Sequence, residues 1–491
     1  MRCLPLLCLA LATGLAGFAA DRPNVLFISI DDLRTEVGAF GSARAQTPHL
    51  DRLAAQGVKF DRAYCQYPLC NPSRASLLTG RYPVTSELYG NRDNFTAWHP
   101  DWVSLPKYFR QHGYFTARFG KIFHGDTIDD ADAWMVGGVR SQFNAPKPAR
   151  SVATEPITDE QEQIRLARML SADLARRGTS DFWKAVSDPA ELAALEDTVN
   201  TDRAVEFLRA RRPGDAPFFL GFGLSKPHSP LVAPQEFFDR YDVAQIELPV
   251  DFAARPTVPA GFPAGSIRMI NADLFIKRDA SPQEAREMIR AYLACTSYAD
   301  ANVGRVLAAL DAAGLRENTL IVLWSDHGYQ LGEKGKWSKA GSLWEQGTRV
   351  PLIILDPRAR GNGTASPRVV ELLDLYATIV ARCGLPRPAD IEGRDLSPLL
   401  EAPTAPWDHP AFTVWNERAR GVSGVVVRTE RWRYAEFFGP GAGAFLTDSQ
   451  NDPHELTNLV ADPRYADVVA KLSALARAHV AGKTEPTAPR K

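Results

Sequence analysis

Hydrophobic and polar positions alternate between two patterns along most of the chain. Asn24–Ile30 (NVLFISI) is an unbroken apolar run rich in β-branched residues, the mark of a strand covered on both faces. Thr47-Pro48 then opens a stretch with apolar residues at helical spacing, closed at Gln56 with Gly57 just beyond, which predicts a short helix. Residues 58–63 read as strand, 104–112 as helix stopped by Gly113, and 114–119 as strand again. Further buried strands are predicted at 218–222, 320–324 and 350–355, with helices at 202–211 and 282–313. This βα alternation predicts an α/β fold, a mostly parallel sheet sandwiched by helices. Residues 126–195 break the rhythm and read as an insertion.

The pattern changes after a Pro-rich stretch at 401–410 (EAPTAPWDHP). Segments 412–415, Gly424–Arg428 and Trp432–Phe437, separated by short polar turns, predict an antiparallel meander, and 464–480 predicts a closing helix. Together they form a small C-terminal α+β subdomain at 405–491, behind a catalytic α/β domain at 21–404. Residues 1–20 differ from both. Arg2 supplies a positive start, Leu4 to Phe18 is nearly all apolar, and Gly17-Phe18-Ala19 offers a small-x-small site. That is a secretory signal peptide cleaved after Ala19 or Ala20, and it predicts an exported protein, periplasmic or secreted, with no membrane attachment once the signal is gone.

Composition narrows the classes. With 45% hydrophobic and 23% charged residues, the chain is neither disordered, collagenous nor a polytopic membrane protein. Its 57 Lys and Arg balance 58 Asp and Glu, so charge marks no nucleic-acid partner. Six cysteines are too few for a disulfide scaffold. Cys3 and Cys8 leave with the signal. Cys65, Cys70, Cys295 and Cys383 allow at most two disulfides, or one if Cys70 serves chemistry.

The candidate chemistry lies where strands end. Asp31-Asp32 follows the first buried strand directly, and ligands of open α/β sheets bind at such carboxyl ends. Adjacent carboxylates repel unless a cation neutralises them. Ser325-Asp326-His327-Gly328 closes strand 320–324 in the same way. Three carboxylates favour a hard, oxygen-preferring cation, Ca²⁺ or Mg²⁺, over zinc. Lys121 and His124 follow strand 114–119, and Lys226-Pro227-His228 follows strand 218–222. Taken singly each of these reads as a polar loop or turn, and Lys339 as part of a solvated, Lys-rich stretch. Together they gather two histidines and three lysines on one edge, which suits an anionic ester.

Cys70-Asn71-Pro72-Ser73-Arg74, followed by ASLLTGR to Arg81, decides among these readings. A cysteine phosphatase needs Cys-x₅-Arg, but Ser76 stands at that position. Zinc wants a closer second ligand than Cys65-x₄-Cys70 provides, and a buried structural cysteine leaves the run behind it unexplained. The segment resembles the C-x-P-S-R…L-T-G-R signature of the sulfatase family, in which the cysteine is converted to Cα-formylglycine. The resemblance runs from about Pro23 into the C-terminal subdomain, where 448–459 (DSQNDPHELTNL) is typical of the family. Within the family it is strongest to the iduronate-2-sulfatase branch, through VLFISIDDLR, KIFH, KPH, SDHGYQLG and WSK. Lys334, where many relatives carry a histidine, and the insertion depart from the pattern and leave the sugar specificity open.

The resemblance implies an alkaline-phosphatase-like fold and a sulfuric ester hydrolase acting on sulfate monoesters, as an exosulfatase on a sulfated saccharide. It implies one Ca²⁺ per chain held by Asp31, Asp32, Asp326, His327 and residue 70. It implies that Cys70 is converted by a formylglycine-generating or sulfatase-maturing enzyme, and that the helix after Pro72 aims its positive end at the anion. Arg74 would orient the formylglycine hydrate and His124 would act as general base. Lys121, His228 and Lys339 would bind sulfate oxygens, with His228 or Lys339 protonating the leaving oxygen. Two alternatives stay open, a phosphomonoesterase or phosphonate hydrolase of the same superfamily and a non-catalytic binder of sulfated glycans.

Overall fold

The computed structural model describes residues 22–125, 130, 132–137, 182–212, 214–417, 421–439 and 441–484. Residues 1–20, where a signal peptide is expected, and most of the 126–195 stretch lie outside them.

Strand β1 (Asn24–Ile30) is fully buried and sits near the middle of the main sheet. Its even-numbered residues Leu26, Ile28 and Ile30 enter one core, and Val25 and Phe27 enter the other. This is the period-2 alternation of a strand covered on both faces. The first core is closed by Leu50 and Leu53 of α1 (Pro48–Gln56), Leu208 of α4 (Glu196–Ala210) and Val303 and Val306 of α5 (Pro282–Ala312). The second is closed by Leu77 and Leu78 of α2 (Cys70–Thr79), Phe109 of α3 (Leu105–Gln111) and Ile379 of α6 (Asp374–Arg382). Helix α5 starts on a Ser281/Glu284 capping box with Pro282 in its first turn.

The sheet runs β10 (Ala365–Glu371), β2 (Val58–Tyr64), β9 (Leu352–Leu355), β7 (Thr319–Ser325), β1, β5 (Phe218–Leu224), β3 (Phe115–Phe119). β1 pairs in parallel with β5 and β7, β3 with β5 and β10 with β2, whereas β9 is antiparallel to both its neighbours. The sheet is therefore mixed and mostly parallel, as expected. Because β9 reverses between β7 and β2, β2 again points the same way as β1. Strands β1, β2, β3, β5 and β7 thus all deliver their carboxyl ends to one edge.

The single strand expected at 350–355 is two, β8 (Arg349–Val350) and β9, split at Pro351, which has no N–H for the ladder. β10 was not legible because Pro367 interrupts its pattern. It survives as an edge strand with a register shift between Ser366 and Val369. The start of the 202–211 helix moves back to Glu196, and the described end of the insertion holds a short strand, β4 (Trp183–Val186), paired with β6 (Leu231–Pro234).

The C-terminal subdomain is an antiparallel sheet in sequence order, β11 (Ala411–Trp415), β12 (Gly424–Arg428), β13 (Trp432–Phe437) and β14 (Gly443–Asp448). Helix α7 (Ala466–His479) packs on β12 and β13. The sequence pattern had missed β14, whose first residues are glycine and alanine. Cys65, Cys70, Cys295 and Cys383 are all buried free thiols, so none of the allowed disulfides is formed. Among the described residues no helix is long and apolar enough to cross a membrane.

Candidate active site

The strand edge assembles the site through the backbone first. The Asp31 N–H still donates to Leu224 of β5, at 3.0 Å. One residue later the chain turns sharply, since Asp32 is left-handed at φ 62°, a conformation that costs a non-glycine residue about 1–2 kcal/mol. The turn sets the Asp32 N–H on Asp326 Oδ1 at 3.1 Å, and the Tyr292 hydroxyl of α5 donates to the Asp32 carbonyl at 2.7 Å. On the far side, Gly120 and Gly223 let the end of β3 cross the end of β5, because a Cβ on Gly223 would overlap the Lys121 backbone.

Arg74, one turn into α2 and fully buried, ties these ends together. Its Nε donates to Asp326 Oδ2 at 3.0 Å and its Nη2 to Asp31 Oδ1 at 3.1 Å. Its Nη1 reaches Ser29 Oγ and the carbonyls of Lys121 and Ile122, each at 2.9 Å. The Ser73 hydroxyl donates to the Asp326 carbonyl. Arg74 therefore holds the carboxylates of Asp31 and Asp326 together.

Cys70 begins α2 beyond the extended Leu69, so the helix start faces the cluster. Its Sγ lies 3.3 Å from His327 Nε2 and 4.0 Å from Asp32 Oδ1, with His124 and His228 beside it. Burial pushes the thiol up, but Lys121, Lys339, His327 and His124 outweigh it and hold Cys70 well below the usual thiol range. Burial pulls His124 down, which keeps its imidazole neutral and able to accept a proton.

One ligand atom from each of Asp31, Asp32, Cys70, Asp326 and His327 lies within 4.8 Å of all the others, and all five residues are buried. Burial, ahead of its neighbours, pushes Asp326 up to about 7. Burial pulls His327 down, but Asp326 and Cys70 outweigh it and raise it to about 10. The His327 Nδ1 faces the Gly328 carbonyl at 2.9 Å, which leaves Nε2 directed at Asp32 and Asp326, 3.4 and 3.5 Å away. Three crowded carboxylates and an imidazole fixed through its other nitrogen fit a hard divalent cation.

Two lysines complete the edge. Lys121 pairs with Asp31, and Lys339 lies 2.8 Å from Asp32 Oδ2. Lys339 belongs to the 325–344 loop, which is almost wholly buried although it carries little regular structure. The solvated reading of that stretch is thus overturned. His228 enters beside Cys70, with its Nδ1 against the Ser229 carbonyl at 2.6 Å, but Lys226 turns away to the carbonyls of His228 and Pro230. Lys334 is also buried. It pairs with Asp251 at 2.7 Å and donates to the His454 carbonyl at 3.2 Å, fastening the loop to the C-terminal subdomain. Asp273, 3.3 Å from Lys339, had no signal in the sequence, because it lies in an irregular segment far from any motif.

The sulfatase family profile matches residues 23–385, and one described as N-sulphoglucosamine sulphohydrolase, C-terminal, matches 332–480. The chain belongs to the sulfatase family. It is a sulfuric ester hydrolase. A sulfatase of Formosa agariphila is 33% identical over 93% of this chain and 86% of its own. The human iduronate 2-sulfatase is 31% identical over 76% of this chain and 71% of its own. The phosphonate monoester hydrolase of Agrobacterium radiobacter shares the fold, with a TM-score of 0.71 and 23% identity over 96% of this sulfatase and all of that chain.

Proposed function

We propose that this sulfatase hydrolyses a sulfate monoester at the non-reducing end of a sugar, using Cα-formylglycine at position 70 and one Ca²⁺. The observation that carries the reading is the convergence of four buried donors, from Asp31, Asp32, Asp326 and His327, around Cys70 Sγ, the place that a formylglycine hydrate would occupy. Asp31, Asp32, Asp326 and His327, with residue 70, would hold the Ca²⁺. When bound, the cation supplies positive charge to the sulfate and to the nucleophile. A hydrated aldehyde at position 70 supplies a hydroxyl that attacks sulfur and a second hydroxyl through which sulfate is released, whereas a thiol would be trapped as a stable thiosulfate.

The chain's own residues do the remaining work. His124, its pKa lowered by burial, stands beside residue 70 and takes the proton that releases sulfate. Lys121 and Lys339 flank residue 70 and neutralise sulfate oxygens, and His228 or Lys339 protonates the leaving oxygen. Arg74 keeps Asp31 and Asp326 at fixed separation beside residue 70 and would orient its hydrate. Similarity to iduronate 2-sulfatases favours a glycosaminoglycan-type uronate or hexosamine sulfate. The signal-like segment at 1–20 favours export.

The test has two arms. A mass spectrum of the peptide holding residue 70 is expected to show an aldehyde, and a free thiol in active protein would sink the formylglycine reading. A panel of sulfated mono- and disaccharides beside p-nitrophenyl sulfate and p-nitrophenyl phosphate is expected to give fastest turnover on a sugar sulfate. Faster turnover of the phosphate than of every sulfate ester moves the reading to a phosphomonoesterase.

A further inference from the structure

We infer that Asp273 is a positioning residue of the sulfatase reaction, the carboxylate that keeps Lys339 at the leaving oxygen. The inference rests on the proposed function above and deepens it.

Lys339 Nζ stands between two carboxylates, Asp32 Oδ2 at 2.8 Å and Asp273 Oδ1 at 3.3 Å. Asp32 also belongs to the five-donor cluster, so its charge is shared with a bound cation. Asp273 lies outside that cluster. Among the described residues its carboxylate has one partner, Lys339, and its Oδ2 is buried without any. The Asp273 side chain is half-buried, at 14% exposure, and its covered Oδ2 has no donor, so Lys339 is the cation that balances it.

The segment that carries Asp273 is nevertheless firmly built. Lys336 Nζ donates to the carbonyls of Arg268 and Ile270 at 2.9 and 2.6 Å. Asn271 Oδ1 accepts from the Trp337 N–H at 2.9 Å, and the Leu274 N–H meets the Trp337 carbonyl at 3.4 Å. Two stretches of chain distant in sequence are thus held in register just where Asp273 meets Lys339.

The test compares wild type, Asp273→Asn, Lys339→Ala and the double variant on a sugar or alkyl sulfate, which needs a proton on its leaving oxygen, and on p-nitrophenyl sulfate, which does not. Asp273→Asn is expected to lower kcat on the sugar sulfate about ten- to a hundredfold but on p-nitrophenyl sulfate less than about threefold. The double variant is expected to be no slower than Lys339→Ala alone. Calorimetric Ca²⁺ affinity of Asp273→Asn is expected to stay within about twofold of wild type. Equal losses on both esters, additive losses in the double variant, or a tenfold loss of Ca²⁺ affinity each overturn the inference. If Asp273→Asn melts far below wild type, Asp273→Ser and Lys336→Met are read the same way, and a uniform loss across esters in both overturns it too. A wild type that turns over no sulfate ester overturns the proposed function instead.

Discussion

Two of the buried charged clusters among the described residues are built from different cations. At the catalytic edge, Asp31, Asp32 and Asp326 meet Arg74, Lys121 and Lys339. Where the C-terminal sheet docks, Glu345 and Glu455 meet Arg428 and Arg433, with the Tyr64 hydroxyl on Glu345 at 2.9 Å and the Glu345 N–H on Glu455 at 2.9 Å. In the docking cluster the two arginines are buried forks whose donors end on carboxylates and on the Leu343 and Thr429 carbonyls. Burial pushes Glu345 up, but Arg428 and Arg433 outweigh it and hold it well below the usual carboxylate range. In the catalytic cluster the only arginine, Arg74, is likewise spent on protein groups, and the two lysines are the cations left for a ligand. Arginine's planar fork closes a network, whereas lysine's point charge on a flexible stem can be shared with a substrate. Burial of charge alone therefore does not mark the active site. The difference lies in which cations remain able to change partners.

That contrast can be broken most directly by separating activity from stability. Cys70→Ala is expected to cost about a thousandfold or more in turnover while unfolding stability stays within about 1 kcal/mol, because residue 70 acts at a helix start and fills little core. More than a tenth of wild-type activity in that variant would remove residue 70 from the chemistry. Arg433→Met is expected to do the reverse. It leaves Glu345 and Glu455 short of a buried partner and should cost about 3–5 kcal/mol, read by urea unfolding, with turnover per folded molecule nearly unchanged. A stability-neutral Arg433→Met would show that the docking cluster is not closed by its arginines.

Asp32→Asn sharpens the comparison on the catalytic side. One carboxylate fewer in a hard-cation shell lowers its affinity, so activity should fall about ten- to a hundredfold and recover in part with excess Ca²⁺. Chelation that leaves wild-type activity untouched, in protein purified free of metal, would contradict the cation reading.

The smallest expected effect concerns a buried carboxylate with no ion pair among the described residues. Asp300 accepts the N–H groups of His49 and Leu50 at the start of α1, at 3.0 and 2.7 Å, and burial pushes it up to about 7. Its folded value lies above the unfolded one, so its contribution is fully present below about pH 4 and is lost as pH rises through about 7. Stability is expected to fall across that window, and Asp300→Asn should flatten the fall. An unchanged pH slope in Asp300→Asn would locate the titration elsewhere.

Much of the fold was legible because its signals are local. A strand buried on both faces, such as NVLFISI, needs no partner to be recognised, and Pro48 and Gly57 bracket a helix by backbone geometry alone. The split of the 350–355 strand into β8 and β9, and the presence of β10, were not, since Pro351 and Pro367 disturb the patterns that would announce them. The residues of the site were also visible, because the Cys70–Arg81 signature and the acids at strand ends are contiguous in sequence.

What the chain order alone determined, then, is which chemical groups stand at the ends of β1, β2, β3, β5 and β7. Only the tertiary structure decided which of them meet. The antiparallel β9 brings the end of β2, and with it Cys70, to the same edge as Asp31 and Asp326. Tertiary packing also spends Arg74 and Lys226 on protein oxygens, buries the loop of Lys339, and brings Asp273 against it from 66 positions away. A donor's partner depends on distances in space that no short-range pattern encodes, so the same residue type becomes a strut to backbone carbonyls in one place and a partner of the catalytic carboxylates in another.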